Sequence, residues 1–500
     1  MKFRSAAVVA SSLILISVAL PVIAAPNTPV AKGSWSMVPQ SKDANGDGFI
    51  DGDGGVPRSG ALSAQPAREY VGAGNFIAQP NERLIGGALS WYLDPAGFPV
   101  QLNACGSRGD TYSWQVRRGG EVIATTKERR ITKKTCRTEI VLPEGPHELT
   151  LTVRSGAQQT RKNLTANVDN ILMVAMGDSY ASGEGNPRNV EAWLRGSGAF
   201  TPYWDADRCN RSARGGPAQA ALELEKSSNR TSVTLVFVAC SGATVDRGIL
   251  GAQPSAGVVA SQIEQVRALI GTRGIDVLTL SIGGNDVGFG SVLTTCALTA
   301  NCPTAKATTA PLSAFPDVQT GLQSRIAQLP SAYARIAPCF GGPCTLVDGT
   351  VSPGLRMNPG ATVMPTPYPD ITRAADGDAC VYLTINESDF AWARDTILTP
   401  TAPNPYSYRT NRGQTIALPT NSGTLNGAIF TTANSLGWNP IAGVWGASGD
   451  STTGHGVCAG DAAWVFGLTG FTGFTSGSFH PNVQGQKVIG REIAKALGVQ

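Results

Sequence analysis

Two side chains of this 500-residue chain, a serine and a histidine, stand where they could carry out nucleophilic chemistry. Ser179 lies in the block GDSY (residues 177–180) directly after an apolar run, so we expect it at a turn from a strand into a helix. The backbone N–H groups and the positive dipole end of that helix would surround its hydroxyl. His480, in the block FHPN near the C-terminus, could accept the hydroxyl proton and pass it to a leaving group. These residue types predict attack on a carbonyl carbon.

Two further blocks supply hydrogen-bond donors for the negative charge that such an attack creates. The block CSGA (residues 240–243) and the block GGND (residues 283–286) each follow another apolar run. The N–H of Gly242 and the side-chain amide of Asn285 could join the Ser179 N–H as an oxyanion hole. Each block alone is a common turn sequence. Their combination at successive strand ends favours a catalytic site.

The chain has only three histidines, which limits the choice of base. We expect His147 at the surface of the N-terminal region. His455 is the rival base, but it lies in a Gly-rich loop beside Cys458 that is typical of a structural or substrate-lining segment. The sequence therefore favours His480.

The elements that position these blocks alternate between strands and helices. Three apolar runs, at residues 171–176, 232–238 and 276–282, predict buried parallel strands. Helical patterns follow at residues 217–226, 261–270, 318–336 and 483–497. This order predicts a doubly wound α/β domain over residues 169–500, whose ligands bind at the carboxyl ends of the strands. Residues 350–420, rich in Pro, Thr, Asn and Tyr, are interpreted as an inserted segment, an excursion of the chain that covers that edge of the sheet.

The region before this domain has a different pattern. Short segments with period-two alternation, at residues 111–116, 121–125 and 148–153, predict antiparallel strands. Trp114 lies between Cys105 and Cys136. We therefore predict a small immunoglobulin-like β-sandwich over residues 61–168. An irregular Asp/Gly-rich segment, residues 25–60, precedes it.

The N-terminus and the cysteines both indicate an oxidising compartment. Residues 1–24 combine Lys2 and Arg4 with an apolar stretch and a small-residue cleavage site, which predicts a secretory signal peptide rather than a membrane anchor. The ten cysteines fall in near pairs. We expect the disulfides Cys105–Cys136, Cys209–Cys240, Cys296–Cys302, Cys339–Cys344 and Cys380–Cys458. The protein is thus expected to be secreted, extracellular or periplasmic.

The four blocks, in this order, resemble the pattern of the SGNH or GDSL-type serine hydrolases over roughly residues 169–500. The resemblance implies a three-layer α/β/α esterase fold with Ser179 as nucleophile and His480 as general base. It also implies Gly242 and Asn285 as oxyanion donors and no organic cofactor. The sequence GEG at residues 183–185 and the cysteine pairs are most similar to secreted bacterial esterases, lipases and phospholipases.

One position departs from the family pattern. The family usually has Asp three residues before the histidine, where this chain has Gly477. A base needs an acceptor on its other ring nitrogen. We expect a main-chain carbonyl, from Ser478 rather than Gly477, to take this role in a Ser–His dyad. The alternative is the carboxylate of Asp461.

A second motif lies before the predicted sandwich. Its oxygen donors match positions 1, 3, 5, 7 and 9 of an EF-hand calcium loop and come from Asp43, Asn45, Asp47, the Phe49 carbonyl and Asp51. The twelfth position is Gly54 rather than Glu, and no helical pattern flanks the loop. A structural Ca²⁺ is favoured over an Asp/Gly-rich surface loop without metal.

Charge and hydropathy exclude two classes of protein. The formal net charge is only +4, which does not indicate nucleic-acid binding. No interior run reaches the ~18–20 apolar residues of a spanning helix, so a polytopic membrane protein is excluded. One basic cluster, Lys127, Arg129, Arg130, Lys133, Lys134 and Arg137, is either a solvated face or a contact for an anionic surface such as phospholipid headgroups.

Together these features predict a secreted, monomeric serine ester hydrolase. Its expected substrates are carboxylic esters, foremost lipid or phospholipid acyl esters, cleaved through an acyl-enzyme on Ser179. Two alternatives remain at this stage: a carbohydrate esterase that removes acetyl groups from a polysaccharide, and a non-catalytic secreted binding protein that retains the fold.

Overall fold

The structure is a computed structural model of the chain. It describes residues 28–41, 43, 46–50, 97–194, 202, 204, 207–254, 258–399, 423–445, 452–468 and 477–499, and only the backbone of residues 84–85, 88–89, 405–409 and 415–419. The predicted signal peptide, Asn45 and Asp51 lie outside the described residues. Contacts divide the chain into a smaller unit (residues 1–34, 102–138 and 147–166) and a larger unit (residues 35–101, 139–146 and 167–500).

The smaller unit is built on an antiparallel sheet. Its strands are β1 (Thr111–Arg118), β2 (Glu121–Thr125), β3 (Gly145–Ser155) and the first part of β4 (Gln158–Gly177), in the order β4–β3–β1–β2. Alternate residues of β1, including Trp114, are fully buried, as the period of a strand requires. An immunoglobulin-like sandwich stays a prediction.

Two sequence predictions concern side chains of this smaller unit. The expectation of a surface position for His147 is wrong, because this residue is only 3% exposed. The six residues of the basic cluster are all exposed. Their contact with an anionic surface stays a prediction.

The larger unit contains the predicted parallel sheet. Its strands are the second part of β4, β5 (Thr231–Phe237), β6 (Ile275–Ser281) and β7 (Met357–Pro365), in the order β5–β4–β6–β7. β4 pairs in parallel with β5 on one side and with β6 on the other, so its apolar run is buried on both faces. A separate three-stranded sheet consists of Ser34–Met37, Phe98–Asn103 and Arg137–Leu142.

Helices cover both faces of the parallel sheet. The labelled helices are α1 (Ser179–Ser182), α2 (Gly216–Ser227), α3 (Gln262–Ile270), α4 (Gly284–Val287), α5 (Phe289–Leu298), α6 (Val318–Ile326), α7 (Leu329–Ile336), α8 (Leu425–Ser435) and α9 (Val483–Ala496), and further short helices are Val190–Leu194 and Glu387–Ala393. Alternate residues of β4 belong to hydrophobic cores on opposite faces of the sheet. Val174 lies in the core formed with α3 and α5–α8, and Met173 lies in the core formed with α2 and α9. The predicted three-layer α/β/α class is confirmed.

Two element predictions differ from the structure. The predicted domain boundary after residue 168 stays a prediction; it lies within β4, a single strand of 20 residues. The predicted helix over residues 318–336 is two helices, because Pro330 lies in the first turn of the second helix and cannot continue the first one. The predicted excursion over residues 350–420 contains β7, an edge strand of the sheet. None of the helices in the described part of the chain is long and apolar enough to span a membrane.

The ten cysteines form the five predicted disulfides. Two of them fix loops of the larger unit near the strand ends. Cys209–Cys240 holds the block that follows β5, and Cys380–Cys458 joins segments that are 78 residues apart. Such cross-links reduce the conformational entropy of the unfolded chain.

Candidate active site

The end of β4 places Ser179 at the first position of α1. Asp178 caps this helix, and its carboxylate accepts the Tyr180 N–H at 3.1 Å. Ser179 is 7% exposed. His480 comes from the loop before α9, and its Nε2 lies 2.8 Å from Ser179 Oγ. The structure thus brings the predicted nucleophile and the predicted base, 301 residues apart, within one hydrogen bond.

The other ring nitrogen of His480 lies against the main chain. Nδ1 is 2.9 Å from the Ser478 carbonyl oxygen, which fixes the tautomer with hydrogen on Nδ1. Among the described residues, the rival Asp461 is not a partner of His480; it lies in the short helix Gly460–Ala462. His455, the rival base, has its ring stacked 3.4 Å from Trp464 and its Nδ1 on the Ala462 carbonyl.

A close backbone contact explains why the family carboxylate is absent at residue 477. Gly477 has φ +102°, and a Cβ there would lie 2.5 Å from the Cα of Gly185. Gly185 itself has φ +89° and packs against Phe466. The backbones of the two glycines are therefore in close contact, with no room for a side chain between them. Asp at residue 477 would require this loop to move.

The oxyanion donors take different positions. Asn285, in α4, lines the same cavity as Ser179 and His480, and its Nδ2 donates one hydrogen to the Ala243 carbonyl at 2.9 Å. The second hydrogen of that amide has no acceptor among the described residues and could bind a ligand. Gly242 is exposed with φ +79° and does not line this cavity. Its N–H has no acceptor among the described residues.

Sequence reasoning missed two side chains that contact the catalytic pair. The Glu184 carboxylate lies 3.8 Å from His480 Nε2 and accepts the Ser241 hydroxyl. The Tyr180 ring packs on the imidazole with centroids 4.7 Å apart. Glu184 stands in the conspicuous GEG sequence, and Tyr180 follows the nucleophile, so both lay inside blocks already singled out.

A buried hydrogen-bond chain connects the nucleophile block with the Asn285 block. The Gly284 N–H donates to the Tyr368 hydroxyl at 2.6 Å, and Tyr368 donates to the Asp178 carboxylate. Burial raises the pKa of Asp178 to about 7, although the hydrogen bonds from Tyr368 and Tyr180 lower it. Tyr368, in the segment interpreted as an excursion, is a positioning residue that no sequence signal indicated.

Ser179 opens into a mostly apolar cavity of about 390 Å³. One wall is α5, which contributes Phe289, Leu293, Ala297 and Leu298. We call this whole space, next to Ser179, the apolar cavity. Its chemistry suits a hydrocarbon chain attached to a carbonyl at Ser179.

The predicted calcium loop is only partly described. The Asp43 carboxylate accepts the Gly48 N–H and pairs with Lys226 at 3.2 Å, and its Oδ1 is buried without a partner among the described residues. The Phe49 ring lies between Arg214 and Lys487, with the two cations 4.3 and 4.7 Å from its centroid. In the described part of the chain, no three acidic, His or Cys side chains converge as metal ligands. Calcium binding stays a prediction.

The larger unit thus has an α/β/α fold with a hydrogen-bonded Ser–His pair at the strand ends. The chain is similar to a lipase of Streptomyces rimosus, at 32% identity over 125 residues that make up 25% of this chain and 34% of the lipase. The match thus spans about a third of that relative's length. The match to a lipase supports the resemblance of this chain to the SGNH or GDSL-type hydrolases. No family model matches the chain.

The chain also matches solved structures at low identity and low TM-score. An extracellular lipase from Streptomyces rimosus is 21% identical, with a TM-score of 0.37, over 65% of this chain and 99% of that chain. A phospholipase A1 from Streptomyces albidoflavus is 23% identical, with a TM-score of 0.36, over 65% and 97%. A family two carbohydrate esterase from Clostridium thermocellum is 10% identical, with a TM-score of 0.23, over 80% and 91%.

Proposed function

We propose that this protein is a secreted hydrolase of carboxylic esters with Ser179 as nucleophile and His480 as general base. The observation that carries the proposal is the 2.8 Å contact between Ser179 Oγ and His480 Nε2 at the mouth of the apolar cavity. The five disulfides support an oxidising compartment.

In the first half-reaction, Ser179 Oγ attacks the ester carbonyl while its proton passes to His480 Nε2. The carbonyl oxygen becomes an oxyanion, for which the Ser179 N–H and the second amide hydrogen of Asn285 are donors. The bond to the alcohol oxygen then breaks, and His480 returns the proton to that oxygen. The alcohol leaves and the acyl group remains on Ser179.

In the second half-reaction, His480 takes a proton from water, and the resulting hydroxide attacks the acyl-enzyme. The acid leaves and Ser179 regains its proton. The Ser478 carbonyl accepts the Nδ1 hydrogen throughout and so supports the imidazolium in both steps. No cofactor takes part in this proposal.

The apolar cavity supports lipid acyl esters as the substrate class. Leu293 and Ala297 present carbon atoms along the wall next to Ser179, where the acyl chain would lie. Each buried methylene contributes ~0.8 kcal/mol to binding, so kcat/KM should rise with acyl length until the cavity is full.

The test is a series of 4-nitrophenyl esters with two to sixteen acyl carbons. Ser179→Ala should abolish hydrolysis, and Leu293→Trp should shift the preferred length to shorter chains because the ring fills the cavity. Val381→Trp is the matched control, since Val381 is 63% exposed and outside the cavity. Deacetylation of xylan without hydrolysis of longer acyl esters would instead assign a carbohydrate esterase. A protein inert toward both would be a binding protein.

A further inference from the structure

A second, polar cleft of about 660 Å³ adjoins the active site. It lies between the segment after β5 and helices α4, α6 and α7. We call it the cationic cleft; its charged and amide side chains are Asp246, Arg247, Asp286, Arg325, Gln328 and Arg335. Asn285 lines both this cleft and the apolar cavity. A molecule that reaches across Asn285 therefore meets carbon atoms on one side and guanidinium groups on the other.

The charges of this cleft do not cancel. Arg335 forms an ion pair with Asp246. The Asp286 carboxylate accepts the Val245 N–H at 3.0 and 3.3 Å, and burial raises its pKa to about 6. Arg325 lies close enough to lower that pKa, but it forms no ion pair among the described residues. The cleft thus retains a positive charge beyond its own ion pairs.

Arg325 also carries an unmet hydrogen bond. Its Nε is buried and has no acceptor in the described part of the chain. A buried N–H of a charged group is costly when it has no partner, so an anionic acceptor near the Arg325 guanidinium, which lines the cleft, would relieve that cost. Arg247, in the segment after β5, also lines the cleft and is exposed, and it forms no ion pair among the described residues. Two guanidinium groups that face one space match the oxygen atoms of a phosphate.

We propose that the cationic cleft binds the phosphate of a glycerophospholipid, with Arg325 and Arg247 as its ligands, while the acyl chain enters the apolar cavity. The inference rests on the proposed ester hydrolysis and specifies its alcohol group. The scissile ester then lies at Asn285, between the two spaces. Arg325 and Arg247 determine substrate specificity and take no part in the bond-breaking steps.

The experiment compares two soluble esters that differ only by the phosphate, 1-butyrylglycerol and 1-butyrylglycerol 3-phosphate. The wild type should have the higher kcat/KM for the phosphorylated ester, mainly through a lower KM. Arg325→Gln should lower this preference about 10-fold or more, since one charge-assisted hydrogen bond is lost. Arg325→Lys should restore part of it, and Arg247→Gln should lower it as well. Arg356→Gln, an exposed arginine outside the cleft, should leave the preference unchanged.

Several results would overturn the inference. A wild type without preference for the phosphate would do so, as would an Arg325→Gln variant that loses activity equally toward both esters. Inorganic phosphate is the third arm. If it inhibits hydrolysis of 1-butyrylglycerol, and Arg325→Gln relieves that inhibition while the two esters have equal KM, the cleft binds free phosphate rather than a headgroup.

Failure of the proposed function would look different. In that case neither ester is hydrolysed. Binding of the two esters to the Ser179→Ala protein, measured by calorimetry, then tests the cleft on its own. Tighter binding of the phosphorylated ester, weakened by Arg325→Gln, would support phosphate binding in the cationic cleft. Equal binding of the two esters would contradict it.

Discussion

The hydroxyl of Tyr180 donates a hydrogen bond of 2.8 Å to the carbonyl of Phe479. Tyr180, which follows Ser179, is thus hydrogen-bonded to Phe479, which precedes His480. Phe479 has φ +60°, a conformation that non-glycine residues seldom adopt, and this hydrogen bond helps to fix it. The Tyr180 ring packs on His480 at the same time. The Tyr180 side chain therefore contacts both the residue before His480 and the imidazole ring itself.

The first prediction concerns the partner of His480. Ser478→Ala should retain most of the wild-type kcat, because Nδ1 bonds to the main-chain carbonyl and the hydroxyl is not required. Asp461→Asn should also keep its activity, since Asp461 does not contact His480. His480→Ala should lose about 10²–10⁴-fold in kcat. A loss of several orders of magnitude in Asp461→Asn would show that a carboxylate completes the site.

The second prediction concerns Asn285. Its free amide hydrogen points to charge that develops only in the transition state, so Asn285→Ala should lower kcat by about 10²–10³-fold with little change in KM. Steady-state kinetics on a short 4-nitrophenyl ester measure both constants. Asn285→Asp, which keeps the size but removes the donor, should be equally impaired. An unchanged kcat with a raised KM would make Asn285 a substrate-binding residue.

The third prediction concerns the pH dependence of stability through Asp178. Its pKa is raised to about 7 from the usual 3.8, so the native state holds this proton more tightly than the unfolded chain does. The proton on Asp178 therefore contributes up to about 4 kcal/mol to the free energy of unfolding. This contribution is complete below about pH 4 and is lost as the pH rises towards 7.

Denaturant unfolding between pH 4 and pH 8 measures this effect. The free energy of unfolding of Asp178→Asn should fall less over that range than that of the wild type. Asp317→Asn, at the cap of α6, serves as the control and should follow the wild type. If Asp178→Asn and wild type have the same slope, the buried carboxyl is not the titrating group.

The fourth prediction concerns calcium at the loop that begins at Asp43. This loop belongs to the larger unit, so bound calcium should raise the melting temperature of the unit that contains Ser179. At calcium 100-fold above Kd the gain is about 2.7 kcal/mol. Asp47→Ala should remove the effect, whereas Asp376→Ala, at an exposed turn, should keep it. Lys226→Met should strengthen calcium binding, because the lysine now pairs with Asp43.

A melting temperature that does not respond to calcium or chelator, measured by calorimetry on the full chain, would leave the loop as a metal-free turn. In that case the Lys226 ammonium is the cation that balances Asp43. The same measurement on Lys226→Met would then show a loss of stability without calcium dependence.

The sequence was most informative where residue type alone decides the structure. Continuous apolar runs predicted the buried strands β4, β5 and β6, and the polar blocks after them had to meet at one edge of the sheet. The cysteine spacing predicted the five disulfides. Gly477, in place of the family's Asp, favoured a main-chain carbonyl over the carboxylate of Asp461 as the partner of His480.

The sequence was least informative where packing decides. β7 contains Pro359 and Gly360, which are typical of a loop, yet an edge strand tolerates them. Tyr368 reaches Asp178 across 190 residues, a relation that no local pattern encodes. β4 runs continuously from Gln158 to Gly177, so the change in sequence pattern near residue 169 marks no break in the strand.

The central claim is that Ser179 is a nucleophile activated by His480. The most direct measurement is labelling of the intact protein with a fluorophosphonate, followed by peptide mass mapping. The wild type should carry one label on Ser179, Ser179→Ala should carry none, and His480→Ala should label at least about 100-fold more slowly. A wild-type protein that hydrolyses esters but carries no label on Ser179, or carries it elsewhere, would contradict the account.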